Sequence, residues 1–296
     1  MTFPNDNNKN LNPWVLQKNT YNRNGTLIYD ITYNLNRVLI PSEIILDLDK
    51  NNWIMKMSSN GICEDEIDII TQLKFEECHF SIKFPKFNYY KYGRTGKYSW
   101  LVMEKYDGVI RNDFDYCKSQ IKNLSFQIIS FLEWLHVSKD KVHGDIKSDN
   151  IVFKKEDDSF RLIDFESVSD RSGDLCFESL PNGYYYYGLG CEYDKPSFSF
   201  RMDLQAFGYI LWDLLLIDTN FKDFYWQKNT FSYYKKKTKQ NLFHLLEKEK
   251  TQNMLEVEKP EIIKKYFSII ENYSWFEEKA IPEIYTNLKE LFLHSE

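Results

Sequence analysis

Val142-His143-Gly144-Asp145-Ile146-Lys147-Ser148-Asp149-Asn150, the stretch VHGDIKSDN, packs an acid, a base and an amide into the six residues from Asp145 to Asn150. Asp164 follows 14 positions after Asn150, behind the short apolar run of RLIDFES. Two carboxylates and an amide at this spacing point to phosphate chemistry. Phosphoryl transfer needs magnesium to neutralise the phosphates, an acid to orient the attacking hydroxyl and a cation near the moving group. Asp145, Lys147, Asn150 and Asp164 are residues of those types. On a loop that follows a helix, Asp145 can face the nucleophile and Lys147 the γ-phosphate, while Asn150 turns toward a metal that Asp164 also holds. Hard oxygen ligands of this kind suit magnesium. The plain alternative is a polar loop in which Asp145 caps a turn.

The surrounding pattern places that loop. Upstream, KSQIKNLSFQIISFLEWLH sets Leu124, Ile128, Phe131, Leu132 and Leu135 on one stripe at helical spacing, which predicts a largely buried helix ending just before the motif. Further upstream, TLIYDITY, SEIILDL, WIMKM and YSWLVMEKY read as strands between turn-like Asn, Asp and Pro clusters, and predict a small antiparallel sheet. CEDEIDIITQL interrupts them with Ile67, Ile70 and Leu73 on one helical face and acids at the N-terminal end, where the helix dipole favours them. Downstream, MDLQAFGYILWDLLL is apolar nearly all round and predicts a buried central helix. Pro260 and Pro282 are each placed to open a helix near the end of the chain. Residues 1–13 are polar and Asn-rich, and read as a disordered leader. YYKKKTKQ reads as a solvated face.

Composition bounds the partners. At 296 residues, with 43% hydrophobic and 28% charged residues, the chain is long enough for two lobes of an ordinary globular protein. A formal net charge of −6 argues against general electrostatic attraction to nucleic acid or to an anionic membrane. The five cysteines have neither zinc-ligand nor disulfide-framework spacing. Without a recognisable signal or membrane span, these features lead to the expectation of a protein that is intracellular, cytoplasmic or nuclear, and not secreted. The abundance of Asn, Lys, Ile, Tyr and Phe suits an AT-rich genome. The sequence does not specify an oligomeric state.

HGDIKSDN and DFE, in this order and spacing, resemble the protein kinases, whose catalytic loop reads HRD followed by Lys and Asn and whose metal-binding motif reads DFG. The resemblance implies an α+β, two-lobed fold with a small β-rich N-lobe and a helical C-lobe. It implies an N-lobe and hinge over 14–106, a C-lobe over 107–296, and a site near Tyr106. It also implies a serine/threonine protein kinase that uses ATP and Mg2+ on a protein substrate, with Asp145 and Lys147 catalytic and Asn150 and Asp164 holding the metal. By the same likeness, Lys56 in WIMKM would hold the nucleotide phosphates and pair with Glu66, or with Glu64 in another helix register. Met103, Glu104 and Tyr106 in LVMEKYDG would border the adenine, with His143 as structural support and Asp203 tying the catalytic loop from below. From about Trp100 onward, HGDIK, the Gly183-to-Asp203 spacing, DLQAFGY and the closing helices look like the vaccinia-related kinases of the casein kinase 1 group, which includes poxviral members. That likeness suits a viral source.

Three positions depart from the family pattern. Gly144 stands where the arginine of HRD would be; kinases commonly use that arginine to grip a phosphorylated activation loop, so its absence implies activity independent of such a phosphate. Tyr33 to Ser42, YNLNRVLIPS, has no glycine where kinases carry a glycine-rich loop, and side chains there obstruct close approach to phosphate oxygens. Glu166 replaces the glycine of DFG; it could aid a metal, partner a lysine or stand as an exposed loop acid. Two other readings therefore stay open. One is a pseudokinase scaffold. The other is a small-molecule kinase resembling the choline and aminoglycoside kinases, in which a glutamate after the DF pair is familiar.

Overall fold

The computed structural model describes residues 14–23, 26–33, 53–58, 62–73, 89–95, 98–170, 199–216, 261–272 and 279–293. The expected leader over 1–13, the strand SEIILDL, most of the glycine-free stretch, the segment from Gly183 to Pro196, the run YYKKKTKQ and Pro260 lie outside these residues. The chain divides into two compact units, Met1–Tyr106 and Asp107–Glu296. The first is strand-rich and the second mainly helical, an α+β arrangement.

The first unit is built on five antiparallel strands: β1 (Trp14–Arg23), β2 (Thr26–Tyr33), β3 (Trp53–Ser58), β4 (Tyr89–Thr95) and β5 (Tyr98–Glu104), in the order β1-β2-β3-β5-β4. Helix α1 (Ile62–Leu73) packs on β3 and β5. Side chains on a strand alternate between faces. In β3, Trp53, Met55 and Met57 are buried in the apolar core, while Lys56 projects from the opposite side of the pleat with Ile54. Leu101 and Val102 of β5 are completely buried, and Ile67, Ile70 and Leu73 form the buried stripe of α1.

The second unit opens with β6 (Gly108–Val109), a short 3-10 turn, α2 (Phe114–Ser119) and α3 (Ile121–Glu133). The apolar run expected as one helix is two. It breaks at Gln120, which leaves the helix geometry of α2 before α3 begins, and it ends in a wider π-helical turn at Trp134–Ser138. The predicted stripe is nevertheless buried throughout, from Leu124 to Leu135. Two short pairings follow: β7 (Lys141–Val142) with β10 (Ser169–Asp170), and the antiparallel hairpin β8 (Ile151–Lys154) to β9 (Ser159–Leu162), which extends to β6. Helix α4 (Phe200–Leu216) is the buried central helix. Helix α5 (Glu261–Glu271) packs beside it, and α6 (Pro282–Leu293) packs against α3 and α5; Pro282 is the first residue of α6 as predicted. Among the described residues, no helix is long and apolar enough to cross a membrane.

Candidate active site

In the first unit, Lys56 and Glu66 meet. The strand presents Lys56 opposite Leu101 of β5, and α1 lays Glu66 against it so that Nζ and Oε2 are 2.7 Å apart. Glu66 is fully buried, and only 12% of the Lys56 side chain is exposed. A carboxylate so buried needs a cation in contact, and here the cation is supplied from ten residues upstream in sequence. Met103 lies near the end of β5, paired with Ile54 and Tyr89 on either side, and is buried. Glu104 closes the strand opposite Trp53, and Tyr106 is the last residue of the first unit.

In the second unit the motif loop runs from β7 to β8. Gly144 has φ 79°, in the left-handed region that a residue without Cβ adopts freely, so the chain can reverse sharply between His143 and Asp145. Asp145 is 4% exposed, and its Oδ2 accepts from the Lys147 ammonium and, at 2.9 Å, from Asn150 Nδ2. The same Asn150 amide donates to the Asp145 carbonyl at 2.9 Å. Both acceptors lie on one side of Asn150, which identifies the group facing them as nitrogen and turns Oδ1 away from Asp145.

The hairpin brings Asn150 and Asp164 together. Ile151 pairs with Leu162 and Lys154 with Ser159, so the residues just outside the first pair emerge from the same end of the ladder. The Ile163 amide donates to the Asn150 carbonyl at 2.9 Å, extending the ladder one step to the threshold of Asp164. The interval of 14 residues in the sequence is thus the length of a hairpin. Helix α3 braces it: Gln127 Oε1 accepts from the Phe160 amide at 2.9 Å and from Arg161 at 3.1 Å, while Gln127 Nε2 donates to the Asp158 carbonyl at 3.0 Å. Asp164 itself is left-handed, with φ 70° and ψ 67°. The following Phe165 is completely buried against the rings of Phe131 and His143. Glu166, in the 3-10 turn after Asp164, is exposed.

Below the loop, Asp203 near the start of α4 gathers three donors. Its Oδ2 accepts from the His143 amide at 2.6 Å and from His136 Nε2 at 2.9 Å, and its Oδ1 accepts from the Gly144 amide at 3.1 Å. His143 is fully buried, and its Nδ1 accepts from the Asp145 amide at 3.3 Å. Burial holds the His143 pKa below its ordinary value, outweighing the pull of the Asp203 and Asp145 charges toward the protonated form. The neutral ring with Nδ1 accepting carries its proton on Nε2. His136 was not singled out in the sequence because a histidine at the end of an apolar stripe carries no mark of its polar partners.

Among the described residues, no three His, Cys, Asp or Glu side chains converge as a metal cage. One amide oxygen and one carboxylate, from Asn150 and Asp164, are nevertheless a donor set that suits magnesium, which retains several waters and completes its octahedron with phosphate oxygens.

A family model described as a protein kinase domain matches residues 50–279. The probable serine/threonine-protein kinase FPV212 of Fowlpox virus (strain NVSL) is 22% identical over 160 residues, covering 52% of this chain and 52% of that protein. The chain therefore spans about half the length of this curated relative.

Proposed function

The chain belongs to the protein kinase domain family, and on that premise we propose that it transfers the γ-phosphate of ATP to a serine or threonine hydroxyl of a protein. In this reading the hydroxyl oxygen bonds to the γ-phosphorus, the bond to ADP breaks, and Asp145 receives the hydroxyl proton. Lys147, already at Asp145, stabilises charge on the moving group. Lys56, aligned by Glu66, positions the α- and β-phosphates. Met103 stands at the back of the adenine pocket, and the backbone of Glu104 and Tyr106 borders the adenine edge. Asn150 and Asp164 would hold magnesium, which supplies neutralisation of the phosphate charge when bound. His143 and Asp203 keep the loop in shape.

The observation that carries this reading is the carboxylate of Asp145, oriented by Lys147 and Asn150 beside a hairpin that sets Asn150 and Asp164 at one end. The poxviral resemblance supports a serine/threonine acceptor. A second reading, a kinase-shaped scaffold, draws on the glycine-free stretch Tyr33–Ser42.

Calorimetry with Mg-ATP separates the two, with Asp164→Asn and Lys56→Met beside the parent. Binding that weakens in both variants, followed by transfer to test proteins that Asp145→Asn abolishes without unfolding the chain, supports the enzyme. No binding at about millimolar nucleotide, far weaker than kinase turnover requires, establishes the scaffold. Transfer to choline-like or aminoglycoside acceptors in preference to protein would replace the acceptor class.

A further inference from the structure

Tyr285, on helix α6, shares a hydrogen bond between its hydroxyl and His136 Nδ1 at 2.5 Å, and both residues are buried. The direction of this bond follows from the far side of the ring. Both Asp203 oxygens already accept from backbone amides, so His136 Nε2 meets an acceptor; in the tautomer with the proton on Nε2, Nδ1 accepts and Tyr285 donates. Through Asp203 the same chain of contacts reaches the backbone amides of His143 and Gly144, the two residues before Asp145. A side chain 140 positions away in sequence, at 285 against 145, is therefore three hydrogen bonds from the motif loop.

We propose that Tyr285 is a positioning residue for the phosphoryl-transfer loop: it fixes the His136 ring, which aims the Asp203 carboxylate, which holds His143 and Gly144. The role rests on the function proposed above, but its physical basis does not. Without the hydroxyl, His136 Nδ1 becomes a buried polar atom with this partner removed, and the ring relieves this by rotating. Rotation moves the group that shares Asp203 Oδ2 with the His143 amide. A second polar tie from α6, Lys289 Nζ to Glu133 Oε2 of α3 at 2.7 Å, lies one turn further along the helix and does not touch His136. It provides a control for docking of the helix alone.

The test is amide hydrogen exchange in the full chain, comparing Tyr285→Phe and Lys289→Met with the parent. Tyr285→Phe should speed exchange at the His143 and Gly144 amides about tenfold relative to the Leu211 amide in α4, and Lys289→Met should leave that ratio unchanged. With Mg-ATP and a protein acceptor, Tyr285→Phe should lower kcat about tenfold and change KM for ATP less than about twofold, because it disturbs the loop rather than ground-state nucleotide contacts. Unchanged exchange at the two amides, or equal acceleration in Lys289→Met, overturns the proposal. A parent chain that exchanges as described but transfers no phosphate overturns the proposed function, and the exchange ratio still decides whether Tyr285 positions the loop.

Discussion

The Nζ of Lys56 lies 2.7 Å from Oε2 of Glu66, joining β3 to α1 across a carboxylate that is fully buried. Removing one partner of such a pair strands the other charge, whereas replacing both leaves an apolar contact. Lys56→Met should therefore destabilise the chain by about 3 kcal/mol, and Lys56→Met with Glu66→Leu should recover most of that loss. Urea unfolding of the two single variants and the double variant measures the coupling. Strict additivity would contradict the finding.

Gly144→Ala should destabilise by about 1 kcal/mol, because an L residue at φ 79° brings Cβ against the following carbonyl. The sign is diagnostic, since the same substitution in ordinary backbone stabilises through the unfolded chain. Denaturant midpoints check it. Gly144 also replaces the arginine of the family motif, so phosphorylating the segment between Asp164 and Gly183 should change turnover by less than about tenfold.

His143 ties stability to pH. Burial lowers its folded pKa, so the unfolded chain binds the proton more readily. Its contribution is complete above the unfolded pKa, about 6.5, and is lost as pH falls below that toward the folded value. The loss approaches about 1.4 kcal/mol per pH unit. Unfolding free energies at a series of pH values between neutrality and mild acid should fall more steeply for the parent than for His143→Phe. Parallel curves would mean that the ring protonates as easily folded as unfolded.

Gly208→Ala tests the packing of α4 on α5. Alanine is the better helix former by about 1 kcal/mol. Its Cβ, however, would lie 2.6 Å from Cε1 of Tyr266, a completely buried ring whose hydroxyl is tied to the Leu204 carbonyl at 2.8 Å. The ring cannot yield without breaking that bond, so the substitution should cost about 1–3 kcal/mol net, read as a fall in the thermal midpoint.

How much was legible in the sequence depended on whether the signal was local. The strand holding Lys56, the stripe of α1 and the stripe from Leu124 to Leu135 each follow from periodicity, and the structure buries those residues. Strand β4 was not anticipated, because YYKYGRT carries neither alternation nor an apolar run; its pairing with β5 supplies what its composition does not. The break at Gln120 escaped because it falls before Leu124, where the apolar stripe begins, so the stripe carries no record of it. Asp203 could be tied to the loop only by resemblance, because a helix acid and a loop amide 59 or 60 positions apart leave no mark on each other's neighbours. Tyr285 and His136 were invisible for the same reason. A tyrosine among Ile284, Leu288 and Phe292 looks like core until its hydroxyl has a partner.

The β8–β9 hairpin acts as a gauge with one adjustable end. Side chains alternate along its strands, so deleting a single residue from β9 would turn Asp164 to the opposite face, whereas a matched change of two residues in both strands would only lengthen the arm. The turn Lys155–Asp158 is exposed, and its anchors grip its two ends: Lys155 binds Asp107 and Asp113, and Asp158 receives Tyr116, Asn123 and Gln127. The peptide between Glu156 and Asp157 is therefore a place where an epitope or fluorophore-bearing loop can be inserted while the spacing of Asn150 and Asp164 stays as it is.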